Sequence, residues 1–269
     1  MDVRIDGHDV FVHTGGVEFD PTLPVVVLIH GAGQDHSHFR FHTRSLAHGG
    51  IGVLAVDLPG HGRSRGHVLA SVPEMAAWVI RLLDAVGVDR AVVVGHSMGS
   101  LIAIEAAAAH PERVAGIVLT GSAGTMAVHP DLQDAANRGH HLAVELISGW
   151  VHTGADRYGH HPQPGSWTRG ITERLAEREL ERSLGPDLAA CSSYRAAERA
   201  ADVAAPATVV IGSADVMANP RAGRVLVEAL PAAEVVELAG SGHNMVMDHP
   251  AEVRAAILDQ VKAGFGRLD

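Results

Sequence analysis

One cysteine in 269 residues cannot close an intramolecular disulfide, so the chain implies no redox compartment, and a cytosolic location is the default expectation. Aromatic residues are few: five Phe, three Trp and two Tyr, which gives little support for a site that stacks on a large planar ligand. Basic side chains are outnumbered 21 to 31, for a formal net charge of -10. An acidic surface repels phosphate backbones, and no Lys/Arg cluster counters it, so no nucleic-acid partner is expected. Long apolar runs are also missing. Residues 1–13 carry charges and no apolar stretch, which argues against a signal peptide. The one uncharged run worth testing as a membrane span, 114–130, holds three Gly, two Thr and a Ser and closes on Pro130. It reads as a buried strand plus a loop, so no membrane partner is expected.

Metal and nucleotide signatures are absent too. There is no HExxH, no CxxC, no GxGxxG at a strand–helix junction and no GxxxxGK[ST]. Histidine is abundant at nineteen. His36, His38 and His42 could meet on one helix face, and His140–His141 and His160–His161 are pairs. Without a converging carboxylate or thiolate set these read as solvated or hydrogen-bonded histidines. Neither a metal nor a cofactor is expected.

What is present is a soluble globular composition, 46% apolar and 19% charged. The length fits either one large α/β domain or two smaller ones. Residues 10–13 and 17–19 read as the strands of an opening hairpin. Continuous β-branched runs at Val25–Ile29, Gly52–Val56, 91–94, 114–119, 208–211 and 234–238 fit strands buried on both faces. Helical patterns fall near 38–48, 73–86, 98–109, 219–230 and 250–263, with Pro73, Pro220 and Pro250 at helix starts. This alternation predicts a mostly parallel sheet of about eight strands flanked by helices. Residues 124–199 interrupt it with helical patterns at 131–150, 168–183 and 187–199 and a loop at 154–166. They read as a helical cap inserted into a core formed by 1–123 and 200–269.

After the strand 91–94 comes Gly95-His96-Ser97-Met98-Gly99, then an apolar, Ala-rich helix. The turn must be tight enough to strain Ser97 and project its hydroxyl. Gly95 and Gly99 are small because larger side chains would collide across the turn. The N–H of Met98 then points at the place where an oxyanion would form. With this motif in strand–turn–helix context, the chain resembles the α/β-hydrolase superfamily, in its capped serine-hydrolase branch. The resemblance runs from about residue 10 to the end.

Further segments carry the resemblance in order. His30-Gly31-Ala32-Gly33 follows the strand Val25–Ile29, and the resemblance makes the N–H of Ala32 the second oxyanion donor. His30 is expected to hold that loop by a hydrogen bond. Asp57-Leu58-Pro59-Gly60-His61-Gly62-Arg63-Ser64 matches the family's D-x-P-G-x-G-x-S loop, expected to be structural. Asp57 is a carboxylate, but its place before Ser97 argues against a triad role. Asp215 ends a parallel strand, where such sheets place their sites, and matches the family's acid. The alternative acid position, 120–124, has no carboxylate. His243, within Gly240-Ser241-Gly242-His243, matches the catalytic base, and Ser97, Asp215, His243 follow the order of this fold. Asp248 reads as a helix-start residue ahead of Pro250.

The resemblance implies a Ser-His-Asp hydrolase acting through an acyl-serine. A Ser at the elbow, where haloalkane dehalogenases and epoxide hydrolases of this fold carry Asp, removes those two activities. Carboxylic ester hydrolysis leads, with a small to medium acyl substrate as the expected partner. Lactone, thioester and carbon–carbon bond hydrolysis stay open, as do a peroxyacid side activity and a non-catalytic receptor of the same fold. Candidate residues of the cap pocket are Met126, Leu132, Leu142, Leu146, Trp150 and Trp167. The sequence leaves the oligomeric state open.

Overall fold

The computed structural model describes residues 1–153 and 165–266. It holds one eight-stranded sheet in the order β1-β2-β4-β3-β5-β6-β7-β8. The strands are β1 (Asp2–Ile5), β2 (His8–His13), β3 (Val25–Ile29), β4 (Gly52–Val56), β5 (Ala91–His96), β6 (Val114–Thr120), β7 (Ala207–Gly212) and β8 (Ala233–Leu238). From β4 to β8 every neighbouring pair is parallel; β1 and β2 run antiparallel at one edge.

Five consecutive neighbours, β4, β3, β5, β6 and β7, are buried at every position. Their Val/Ile/Leu runs match that placement, since helices cover both faces of a parallel sheet. On one face pack α2 (Val72–Ala85), α3 (Met98–Ala109) and α9 (Pro220–Ala229), with Trp78 and Leu101 in the core. On the other lie α1 (Thr43–His48) and α11 (Pro250–Phe265), with Leu46, Val253 and Ile257. Each fully buried Val, Leu or Ile contributes about 1.5–3 kcal/mol. The edge strand β8 is largely exposed.

The opening hairpin differs from the expected one. It pairs Asp2–Ile5 with His8–His13 across Asp6 (φ 52°) and Gly7 (φ 81°). An Asp-Gly pair at positive φ is the tight turn that matches strand twist, and it fixes a hairpin one strand earlier in the chain. Residues 17–19 form no strand; Val17 instead packs on the second core cluster.

Between β6 and β7 stand α4 (Pro130–Asn137), α5 (Leu142–Val151), α6 (Thr168–Glu179), α7 (Leu184–Ser193) and α8 (Ala196–Ala200). The single helix expected at 131–150 is two helices. Gly139 takes φ 61°, and the N–H groups of Gly139 and His140 return to the carbonyls of Ala136 and Ala135. Those bonds terminate α4 as a glycine C-cap motif. The helix expected at 187–199 is likewise broken, at Tyr194 and Arg195. α4 to α7 share a small core of their own, including Leu132, Val144, Leu180 and Leu184. Cys191, Tyr194, Ala196 and Ala200 instead join the core of the sheet. Of the loop expected at 154–166, residues 154–164 lie outside the described residues.

Candidate active site

Ser97 stands between the last residue of β5 and the first of α3, with φ 53° and ψ −117°. Apart from Asp6 it is the one positive-φ non-glycine among the described residues. Such a conformation costs of the order of 1–3 kcal/mol and persists where the surroundings enforce it. The flanking glycines supply that enforcement. A Cβ on Gly95 would overlap the carbonyl of Gly99, and a Cβ on Gly99 would overlap the carbonyl of Ile29. The strand, the turn and the next helix therefore approach backbone to backbone, and Ser97 is lifted above the end of the sheet.

Three side chains from separate loops meet there. His243 Nε2 lies 3.0 Å from Ser97 Oγ, and its Nδ1 lies 2.8 Å from Asp215 Oδ2. With a carboxylate facing Nδ1, the ring proton sits on Nδ1 and Nε2 is free to accept from the serine hydroxyl. The other oxygen of Asp215 accepts the N–H groups of Met217 (2.8 Å) and Ala218 (2.9 Å). Asp215 and His243 are both buried. Gly121, at φ 59°, lies so close that a Cβ there would sit 2.9 Å from His243 Cε1. The loop after β3 also borders Ser97: a Cβ on Gly31 would lie 3.1 Å from Ser97 Cβ. Met98 opens α3, so its N–H has no partner within that helix. The arrangement can pass the serine proton to an imidazole.

A cavity of about 560 Å³ opens over Ser97. His243, Gly31, Ala32 and Gln34 border it, and its walls include Met126, Leu132, Ile147, Trp150, Leu188 and Met217. Of the residues expected to line it, Met126, Leu132 and Trp150 do so. Leu142, Leu146 and Trp167 do not. Leu142 is 38% exposed and Trp167 59% exposed, and Leu146 packs on the core shared by α4 to α7. On α5 the cavity takes Ile147, Trp150 and Val151, a stripe offset from the 142/146 stripe. Trp167 borders a separate groove with Arg40, Arg174 and Arg178.

His30 holds its loop as expected. Its Nδ1–H donates to the Gly31 carbonyl (2.9 Å), and its Nε2 accepts the N–H of Leu58 (3.2 Å). Asp57 lies away from the Ser97 chain and accepts from the backbone and ring of His36 and from the backbone of Arg63. Asp35, His36 and Asp57 bring one ligand atom each within 4.8 Å of one another, but hydrogen bonds and the Arg178 ion pair already occupy the carboxylates. His38 and His42 turn into the core rather than toward His36. The His38 ring stacks on His96 at 4.4 Å, and His42 Nε2 donates to the Val246 carbonyl at 2.7 Å. Asp248 is not a helix-start residue. It ends α10 (Met245–Asp248) with its side chain buried 3.9 Å from His152 Nδ1, and His249 precedes Pro250 as the N-cap of α11. His160–His161 lie outside the described residues.

A family model described as the alpha/beta hydrolase family matches residues 26–256. The chain belongs to that family. Among the proteins to which it is similar is the pimeloyl-[acyl-carrier protein] methyl ester esterase of Aromatoleum aromaticum. It is 29% identical over 259 residues, 89% of this chain and 98% of that protein. A dihydrolipoyllysine-residue acetyltransferase component of the acetoin cleaving system of Pseudomonas putida is 31% identical over 251 residues, 87% of this chain and 62% of that protein. Among solved structures, the enol-lactonase of Burkholderia xenovorans LB400 superposes with a TM-score of 0.87 at 21% identity, covering 97% of this chain and 100% of that one. That likeness establishes the fold. Among the described residues no helix is long and apolar enough to cross a membrane.

Sequence reasoning missed two residues beside the hydrolase site. Gln34 accepts the N–H of Gly31 through Oε1 at 3.0 Å, and Asp187 accepts the N–H of Gly33 at 2.9 Å. Gln34 lies three residues beyond the glycine it holds and could have been found as a polar residue closing that turn. Asp187 is 154 residues away from Gly33, and no local signal marks it.

Proposed function

We propose that this protein is a serine hydrolase that cleaves a carboxylic ester, or a related acyl bond, of a small to medium substrate through an acyl-serine intermediate. The observation that carries the reading is the hydrogen-bonded chain Ser97–His243–Asp215 at the floor of a largely apolar cavity. His243 Nε2 takes the proton as Ser97 Oγ attacks the acyl carbon, and Asp215 holds the ring in the required tautomer and stabilises its charged form. The N–H groups of Ala32 and Met98 receive the oxyanion, each contributing about 3–4 kcal/mol to the transition state. The alcohol leaves with the proton from His243; water, activated by the same ring, then releases the acid. Residues 124–199 act as a cap that supplies most of the acyl-binding wall, with Met126, Leu132 and Trp150 in contact with substrate. Two proteins to which the chain is similar, a methyl ester esterase and an enol-lactonase, carry names for the breaking of acyl C–O bonds, which supports this class.

The test is hydrolysis of p-nitrophenyl acetate, butyrate and octanoate between pH 5 and 9 by the wild type and Ser97→Ala. The wild type is expected to turn over, with a rate that rises as a group near neutral pH loses its proton. Ser97→Ala should lose about 10⁴-fold or more. Equal rates in the two proteins would rule out Ser97 as nucleophile. No ester turnover in either would redirect the search to carbon–carbon bond substrates or to ligand binding without catalysis.

A further inference from the structure

Two loops of the sheet are held by buried carboxylates from the helices between β6 and β7. Asp187, in the first turn of α7, uses one oxygen, Oδ2, to accept both the N–H of Gly33 (2.9 Å) and the Nε2–H of His61 (2.9 Å). Glu179, the last residue of α6, accepts the N–H of Gly62 at 3.0 Å and the Ser183 hydroxyl at 3.2 Å, and pairs with Arg182. Burying a carboxylate is costly unless it is paired and hydrogen-bonded. Here both carboxylates spend hydrogen bonds on loop N–H groups.

The His61 ring is the charged partner that faces Asp187. Its Nδ1 lies 3.1 Å from the Pro59 carbonyl and its Nε2 faces Asp187, so acceptors flank both nitrogens and the doubly protonated ring satisfies both. Burial opposes that charge, but the Asp187 and Glu179 carboxylates outweigh it and raise His61 to about 9. His30, with its ring 4.9 Å away, is the neutral member of the pair: burial and the charge on His61 lower it to about 4.

Consecutive N–H groups of the loop after β3 have different fates. That of Gly31 goes to Gln34 Oε1 and that of Gly33 to Asp187 Oδ2. The N–H of Ala32 lies between them and bonds to no group among the described residues. Pinning the peptide on either side fixes the direction in which this middle N–H points. Leu184, one turn before Asp187, closes over Gly33 so tightly that a Cβ there would sit 2.7 Å from Leu184 Cδ1.

We propose that Asp187 is a positioning residue for the oxyanion donor Ala32, acting from helix α7 through the N–H of Gly33. This rests on the acyl-transfer reading of Ser97. It also makes the seating of α7 on the sheet a condition for catalysis, since the same helix contributes Leu188 to the cavity wall.

The test compares wild type with Asp187→Ala, Asp187→Asn and Glu179→Ala. Active sites are counted by phosphorylation with diethyl p-nitrophenyl phosphate. Turnover is read with p-nitrophenyl butyrate, and tetrahedral-adduct affinity with an alkyl trifluoromethyl ketone. In Asp187→Ala, kcat per counted site is expected to fall about tenfold or more, with Ki for the ketone rising in proportion and KM within about threefold. Asp187→Asn keeps an acceptor oxygen for Gly33 and should regain most of the loss. Glu179→Ala removes a comparable buried contact from the other loop, so it should lower Tm while leaving kcat per site within about twofold. Should Asp187→Ala not accumulate as folded protein, Asp187→Ser is read the same way. Unchanged per-site kcat and Ki in Asp187→Ala, or an equal loss in Glu179→Ala, would overturn the assignment. A wild type that neither turns over the ester nor is phosphorylated would overturn the acyl-transfer reading, and this inference with it.

Discussion

The backbone N–H of His243 donates to the carbonyl of Val151, the last residue of α5, at 3.0 Å. The loop that presents the imidazole to Ser97 is therefore held partly by a helix lying over the sheet. Gly242 makes the approach possible: a Cβ there would lie 2.7 Å from the Val151 carbonyl and 3.0 Å from Thr153 Cγ2. The same α5 stripe lines the cavity through Ile147 and Trp150, so one helix both walls the cavity and bonds the backbone of His243.

Gly242→Ala should separate α5 from the His243 loop. An imidazole displaced by about 1 Å costs on the order of 10²-fold in rate. The expected result is a fall of that size in kcat on p-nitrophenyl butyrate, with a much smaller change in Tm. Full activity would mean that the His243–Val151 contact does not set the position of the ring.

Gly121→Ala attacks the same ring from below. The new Cβ would lie 2.9 Å from His243 Cε1 and 3.0 Å from its Nδ1, at a backbone φ of 59° that disfavours alanine. Both effects act together, so kcat should fall about 10²-fold and stability by about 1–3 kcal/mol. Urea unfolding beside ester kinetics separates the two. A loss of stability with no loss of kcat would show that the ring does not move.

The cavity wall gives a specificity prediction. Ile147→Trp fills space over Ser97 and should cut kcat/KM for the octanoate ester, relative to acetate, by about tenfold or more, since each methylene of fit is worth roughly 1–3 kcal/mol. Leu142→Ala and Trp167→Ala, at positions away from that wall, should leave the ratio within about twofold. An Ile147→Trp protein with an unchanged chain-length profile would place the acyl group elsewhere.

These positions show what the sequence can and cannot carry. The meeting of Ser97, Asp215 and His243 was legible because each sits in a local pattern at the end of a strand, and the sheet brings strand ends together whatever the loops do. The buried runs of β3 to β7 were legible because burial on both faces leaves only apolar residues. Apart from Trp150, the cavity stripe on α5 was not, because 142/146 and 147/151 are both apolar at helical spacing and only the neighbours of α5 decide which one faces Ser97. The contacts of Asp187 with Gly33 and His61 were invisible for a related reason. A buried carboxylate is recognised by its partners, and those partners lie 154 and 126 residues away in the chain.

Acid should destabilise the protein from near neutral pH downward. Burial lowers His30 and His42 to about 4, and it holds His38 and His96 well below 6.5. The native state therefore takes no proton at these rings until well below the 6.5 at which the unfolded chain takes them. Each such ring removes about 1.4 kcal/mol of stability per pH unit below that value. Urea midpoints should fall between pH 7 and 5, and the slope should be shallower in His42→Gln. Identical slopes would mean that His42 takes up protons without unfolding.

Alkali should act through one ring of opposite behaviour. His61 is raised from 6.5 to about 9 by Asp187 and Glu179 against the cost of its burial. A folded-state value above the unfolded one gives a contribution that is complete below 6.5 and lost as pH rises through 9. Within that window stability should decline by about 1.4 kcal/mol per pH unit from this group. His61→Gln removes the titrating ring while leaving an amide near Asp187. Its stability at pH 6.5 should be lower than that of the wild type, and the two should converge toward pH 9. A constant gap between the two proteins across that range would mean that His61 is uncharged in the folded state and that Asp187 holds the loop of Gly33 without a cation beside it.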